Sequence, residues 1–203
     1  MQFAVKILVK KEVKSFARNP GGAPANVLAM NSKLGGSSAF IGKVGNDAFG
    51  SYLKDTLSNH NIDITGMSTD SNVPTTLAFV QLDSKGDRSF SFYRNPGADM
   101  MLNADEVKKE LIDECKIFHF GSLSLTDEPC RKATYDAVNY AKKLGKIISF
   151  DPNYRALLWS DREKAVNEIS RAITMADILK VSEEEMYLVT GETNLEFGSK
   201  KLL

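Results

Sequence analysis

The stretch KIFHFGSLSLTDEPCRKATYDAVNYAKKLGKIISFD, residues 116–151, decides the fold. KIFHFGSLSL is a compact apolar run that predicts a strand. DEPCRKATYDAVNYAKKLG predicts a helix closed by Gly145, and KIISFD predicts a second strand. Strand, helix and strand at this spacing form a right-handed crossover onto a parallel sheet.

The same rhythm continues outward in both directions. Downstream, SDREKAVNEISRAITMAD predicts a helix with a Ser160/Glu163 capping box, and ILKV a strand leading into SEEEMYLVTG. EFGSKKLL reads as the middle of a helix, with no cap after Leu203. Upstream, NADEVKKELIDEC predicts a helix opening at Asn103, with Glu106 three residues on. TTLAFVQLD and RSFSFYRN alternate strictly and are joined by the turn signal SKGD, which predicts an antiparallel hairpin over about residues 73–96. NDAFGSYLKDTLSN predicts a helix with Phe49, Leu53 and Leu57 on one face, and SAFIGKV one short strand. Val27, Met30 and Leu34 mark the apolar spacing of a helix stopped by Gly35-Gly36. The expected class is α/β over residues 1–203, with a mainly parallel sheet and a small antiparallel element.

Composition narrows the possible partners. Twenty-six basic and 26 acidic residues balance, which points away from nucleic acid and anionic membranes. No run approaches the roughly 18 apolar residues of a membrane span, and the start lacks a signal-peptide cleavage site. Cys115 and Cys130 have no metal-ligand spacing and read as reduced thiols. The expected location is the cytoplasm.

The familiar nucleotide and zinc motifs are missing. No G-x-x-x-x-G-K-[ST], G-x-G-x-x-G or H-E-x-x-H occurs, and His60 and His119 are isolated. What remains are polar residues at loop ends, where open α/β sheets bind ligands. Gly21 and Gly22 let the backbone approach a ligand, and Asn26 offers a donor and an acceptor from the first helical turn. A plain helix-entry turn with Pro24 near its start explains the same residues, and local physics leaves both open. Asp151, Asn153 and Arg155 follow a strand, and Arg155 suits a phosphate or polyol clamp; a surface loop with an ion pair is the alternative. Lys180 ends another strand. Glu185 has capping-box spacing from Ser182, yet its carboxylate would also suit hydrated magnesium beside a triphosphate.

Taken together, GGAPANVLAMNSKLGGSSAFIGKVGNDAFG, FYRNPGAD, FHFGSLSL, DPNYRALLW and LKVSEEEM resemble the PfkB, or ribokinase-like, carbohydrate kinases, and within them the fructokinases. The resemblance covers about residues 14–203 in order. It implies a ribokinase-like three-layer α/β/α fold with the hairpin as a small β lid, and ATP- and magnesium-dependent phosphorylation of a sugar hydroxyl, most simply fructose to fructose 6-phosphate. It implies that Gly21, Gly22 and Asn26 line the sugar site, with Lys43 close by and Phe92 and Arg94 facing it from the lid. Asp151, Asn153 and Arg155 would lie between sugar and phosphate, and Lys180 and Glu185 would position phosphates and magnesium. Ser182 stands where the family often has asparagine, and Leu28 where a small residue is usual. A homodimer through the lid is also implied. The family's opening G-E-x-L-I-D strand and its late G-A-G-D segment, which carries the catalytic aspartate, have no counterpart here. The chain is therefore expected to be the middle of such a kinase, truncated at both ends. Related readings are a ribokinase, a 2-keto-3-deoxygluconate kinase, or an inactive sugar-binding or association module.

Overall fold

A computed structural model describes residues 2–8, 15–82 and 88–202, with side chains from residue 15 onward except at 81–88. The chain divides into two compact units, one ending at Lys108 and the other starting at Lys109.

In the first unit, β1 (Gln2–Leu8) is followed by β2 (Ala17–Gly21), which runs directly into α1 (Ala23–Lys33). Then come β3 (Ser38–Ala39), β4 (Gly42–Gly45), α2 (Ala48–Asn59), β5 (Ile62–Asp63) and β6 (Met67–Asp70). The lid strands are β7 (Leu77–Leu82) and β8 (Arg88–Tyr93), antiparallel as predicted, with Ala78 opposite Phe92 and Val80 opposite Phe90. Their SKGD turn lies outside the described residues. The hairpin is not isolated: β1 pairs parallel with β7 and antiparallel with β2, giving a four-stranded sheet in the order β2-β1-β7-β8. β2 was not legible as a strand, because ARNPG carries three of the residues that strand propensity disfavours most, Asn19, Pro20 and Gly21.

SAFIGKV is two strands. β3 pairs with β5 and β4 with β6, and the chain changes partner at buried Phe40. A Cβ on Gly42 would lie 2.7 Å from the Phe40 ring, so the jog needs glycine. Phe40, Val44, Leu53, Leu57, Ile62, Met67 and Ala25 form the unit's core, with Leu28 and Phe49 packed against it. On α1 this places residues 25, 28 and 29 inward. Val27, Met30 and Leu34, expected as its apolar face, are exposed. Two stripes fitted helical spacing, and the core selected the other one.

The second unit follows the predicted alternation: α3 (Lys109–Glu114), β9 (Ile117–Gly121), α4 (Cys130–Lys143), β10 (Ile147–Asp151), α5 (Arg162–Ile173), β11 (Ile178–Leu179), α6 (Glu183–Thr190) and α7 (Leu195–Leu202). The three strands form a parallel sheet in the order β11-β10-β9. Ile148, Phe150 and Phe120 are buried on one face of it. Two details differ from expectation. The cap of α5 is Asp161, whose carboxylate accepts from Lys164 N at 2.7 Å, while Ser160 only donates to that carboxylate. The Asn103/Glu106 capping box exists, but it closes a short 3-10 turn, and the helix begins only at Lys109. Among the described residues, no helix is long and apolar enough to cross a membrane.

Candidate functional site

The first unit divides its candidate residues into an open group and a closed group. β2 delivers Gly21 and Gly22 to the start of α1. Gly22 has φ 117°, a backbone conformation that side chains other than hydrogen resist. It caps the helix with its carbonyl, which accepts from Asn26 N at 3.0 Å, but no side chain caps the helix and its first turn holds no acid. The unsatisfied N–H groups there suit a polar ligand oxygen. Asn26 stands exposed on that turn. This is the helix entry that one sequence reading expected, and no side chain caps its first turn.

Lys43 belongs to the closed group. Its ammonium donates to Glu106 at 2.9 Å and to the Met101 carbonyl at 3.1 Å, and pairs with Asp70 at 3.2 Å. Three partners occupy its three protons. In this arrangement it holds β4, β6 and the 3-10 turns together, with its protons already spent on protein partners. Burial opposes the charge, but hydrogen bonds from Glu106 and Asp70 outweigh it and raise the lysine above its usual range. Burial likewise pushes Glu106 up, and bonds from Asn103 and Lys43 reverse this to a net lowering. Asp70 is lowered chiefly by the backbone N–H groups of Asn72 and Val73.

The lid residues are also inward-looking. Phe92 is half-buried and stacks on Phe90 with ring centroids 5.9 Å apart. Arg94 is buried, and its Nε donates to Asp99 at 2.8 Å. Asp47, absent from the sequence-derived set, is a hub: it accepts from Phe49 N, Gly50 N, Thr75 N and Thr75 Oγ1 at 2.7–3.0 Å. Burial works against its charge, yet these bonds hold its carboxyl below the ordinary range. An aspartate just before a helical pattern is a cap signal, so this residue was findable. Asp70 and Asp99 were not, and Glu106 was legible only as the partner of Asn103, since Lys43 meets it from 63 positions away.

The second unit gathers its candidates at the carboxyl ends of β10 and β11. Asp151 accepts from Asn153 N at 3.1 Å and pairs with Lys180 at 3.2 Å. Asn153 adopts φ 43°, in the left-handed region that asparagine tolerates better than most residues. Arg155 is exposed and donates to the neighbouring Tyr154 carbonyl at 2.8 Å. Glu185 is buried: Oε1 accepts from Tyr154 N at 2.7 Å and Oε2 from Ser182 N at 2.8 Å. It therefore joins the start of α6 to the loop that carries Asn153 and Arg155. Beside them, His119 Nδ1 meets Ser149 Oγ at 3.0 Å, and burial lowers the ring below the usual histidine range despite Asp151.

Each Glu185 oxygen keeps a lone pair beside its backbone N–H, so this carboxylate suits a hydrated ion reached through water better than a dehydrated cage. Among the described residues, no cluster of three histidine, cysteine or acidic side chains could ligate a metal.

The parallel sheet with polar groups at its strand ends, and the glycine entry beside the hairpin, place the chain in the α/β class, and the comparisons specify it. The pattern of the pfkB family carbohydrate kinases matches residues 4–202, and the chain belongs to that family. It is 50% identical over 180 residues to probable fructokinase-7 of Arabidopsis thaliana, covering 89% of this chain and 52% of that protein. With fructokinase-1 of Zea mays the identity is 48% over 185 residues, 91% of this chain and 57% of the relative. The chain thus spans about half the length of the curated relatives it matches. The crystal structure of fructokinase from Xylella fastidiosa superposes with a TM-score of 0.88 at 34% identity, over 99% of this chain and 65% of that one. A fructokinase from Vibrio cholerae O395 solved with fructose, ADP and calcium ion gives a TM-score of 0.86 at 34% identity, over 98% and 64% of the two chains.

Proposed function

We propose that the chain is part of an ATP-dependent sugar kinase that phosphorylates a hydroxyl of fructose. The observation that carries this reading is the uncapped, glycine-entered start of α1, in a chain whose relatives are fructokinases. The bare backbone at Gly21-Gly22 and the amide of Asn26 receive a hydroxyl-rich ring, and Phe92 packs on it from the lid. Arg155, the catalytic group on this reading, offers a planar fork of donors to the transferring phosphoryl group, and Lys180 a point charge to the remaining phosphates. Phosphoryl transfer depends on such positioning and charge stabilisation more than on covalent chemistry. Magnesium enters as the counter-ion of the nucleotide, within the substrate. Glu185 contributes by holding the Tyr154 loop. The two units serve one kinase domain, located in the cytoplasm, and the exposed lid aromatics Phe16 and Tyr93 favour pairing with a second copy.

The test is a coupled assay of the full-length protein with fructose, ribose and 2-keto-3-deoxygluconate. Fructose is expected to lead in kcat/KM by roughly 10-fold or more, as expected for a site that hydrogen-bonds its substrate's hydroxyls. A preference for ribose overturns the substrate assignment. Calorimetry of the 203-residue chain with fructose checks the binding half alone.

A further inference from the structure

Both roots of the lid hairpin end on a single carboxylate. Thr76 immediately precedes β7, and Arg94 immediately follows β8. Thr76 Oγ1 donates to one oxygen of Asp99, and Arg94 Nε donates to the other at 2.8 Å. Asp99 itself sits in the 3-10 turn Ala98–Met101, whose first N–H donates to the Pro74 carbonyl at 2.9 Å. Packing closes around this point. Thr76 is 1% exposed, and a Cβ on Gly97 would collide with Thr76 Oγ1. The neighbouring Thr75 is fixed independently by Asp47.

We propose that Asp99 is a positioning residue that sets the angle of the lid and thereby the affinity for the sugar. The proposal rests on the sugar-kinase reading above. Its physical basis is leverage. A lid strand of six residues at about 3.3 Å each reaches roughly 20 Å, so a 10° rotation at the root moves the tip by about 3 Å. That displacement is enough to lose a packing or hydrogen-bond contact with a small ligand. Asp99 resists the rotation because charge-assisted bonds at a buried site are strong and directional. The third connection of this sheet, at Gly21-Gly22, has no side chain with which to do so.

The experiment uses Asp99→Asn, Thr76→Val and Thr76→Ser in the full-length protein, read by amide hydrogen exchange and by separate KM values for fructose and ATP. Asp99→Asn is expected to speed exchange about 10-fold at both roots, residues 77–78 and 92–94. It should also raise the fructose KM about 10-fold, while the ATP KM stays within about 2-fold. Thr76→Val loosens the β7 root alone and Thr76→Ser restores it, so the idea stays testable even where Asp99→Asn folds poorly. Wild-type exchange at the roots in both Asp99→Asn and Thr76→Val overturns the proposal, as does a parallel rise of both KM values. A protein that leaves fructose unphosphorylated overturns the sugar reading instead, and the exchange data then decide the latch by themselves.

Discussion

Lys43 in β4 and Lys180 just after β11 are both lysines that the family resemblance puts near a ligand, and the structure treats them in opposite ways. The Lys43 side chain is 8% exposed between Asp70 and Glu106, whereas that of Lys180 is 67% exposed beside Asp151. A lysine whose protons all have buried partners is an architectural cation. One that touches a single carboxylate at the surface keeps protons for a phosphate. The difference extends to the surrounding units. Arg94 and Lys43 in the first are buried with acids, and Arg155 and Lys180 in the second face solvent. On the proposed reading, sugar contacts come from backbone and neutral groups, and phosphate contacts from exposed charge.

The contrast breaks most directly at Lys43. Lys43→Met strands two half-buried carboxylates and is expected to destabilise the protein by about 3 kcal/mol in urea denaturation. A loss under about 1 kcal/mol would make Lys43 and Lys180 equivalent. Asp47→Ala removes the α2 cap together with the ties to Thr75 and is expected to cost about 2 kcal/mol by the same measurement.

A pH series sharpens the point. The folded lysine is raised, so its contribution is complete below the ordinary value of 10.5 and lost as pH rises through the folded one. Asp70 and Glu106 are lowered, so theirs are present above the ordinary values of 3.8 and 4.5 and lost as pH falls through the folded ones. The stability gap between wild type and Lys43→Met should therefore be flat between about pH 5 and pH 10 and narrow on both sides. A gap that stays constant down to pH 2 would deny the ion trio. The smallest stability effect belongs to Lys180→Met, under about 0.5 kcal/mol because exposed pairs contribute little. The same variant should weaken ATP binding roughly 10-fold in titration calorimetry, the scale of a lost hydrogen bond to a charged group. Unchanged ATP affinity would remove Lys180 from the phosphate site.

Legibility tracked the range of the interactions. The Ser182/Glu185 box and the strand-helix-strand order of β9, α4 and β10 are local patterns, and both stand. KIFHFGSLSL, however, is strand only to Gly121, and Ser122–Leu125 turns into a 3-10 helix. The cap of α5 shifted by one residue, from Ser160 to Asp161, because adjacent residues offered equivalent oxygens. The inward face of α1, the split of SAFIGKV and the strand character of ARNPG depended on partners the local sequence does not name.

By itself the sequence determined the alternation of strand and helix, the glycine entry to α1 and the family to which the chain belongs. These are carried by side-chain periodicity and by residues whose backbone freedom is intrinsic. The tertiary structure alone decided which charges are spent on architecture. Lys43 meets Glu106 across 63 positions of chain and Glu185 meets Tyr154 across 31, and burial at those meetings consumes hydrogen bonds a ligand would otherwise receive.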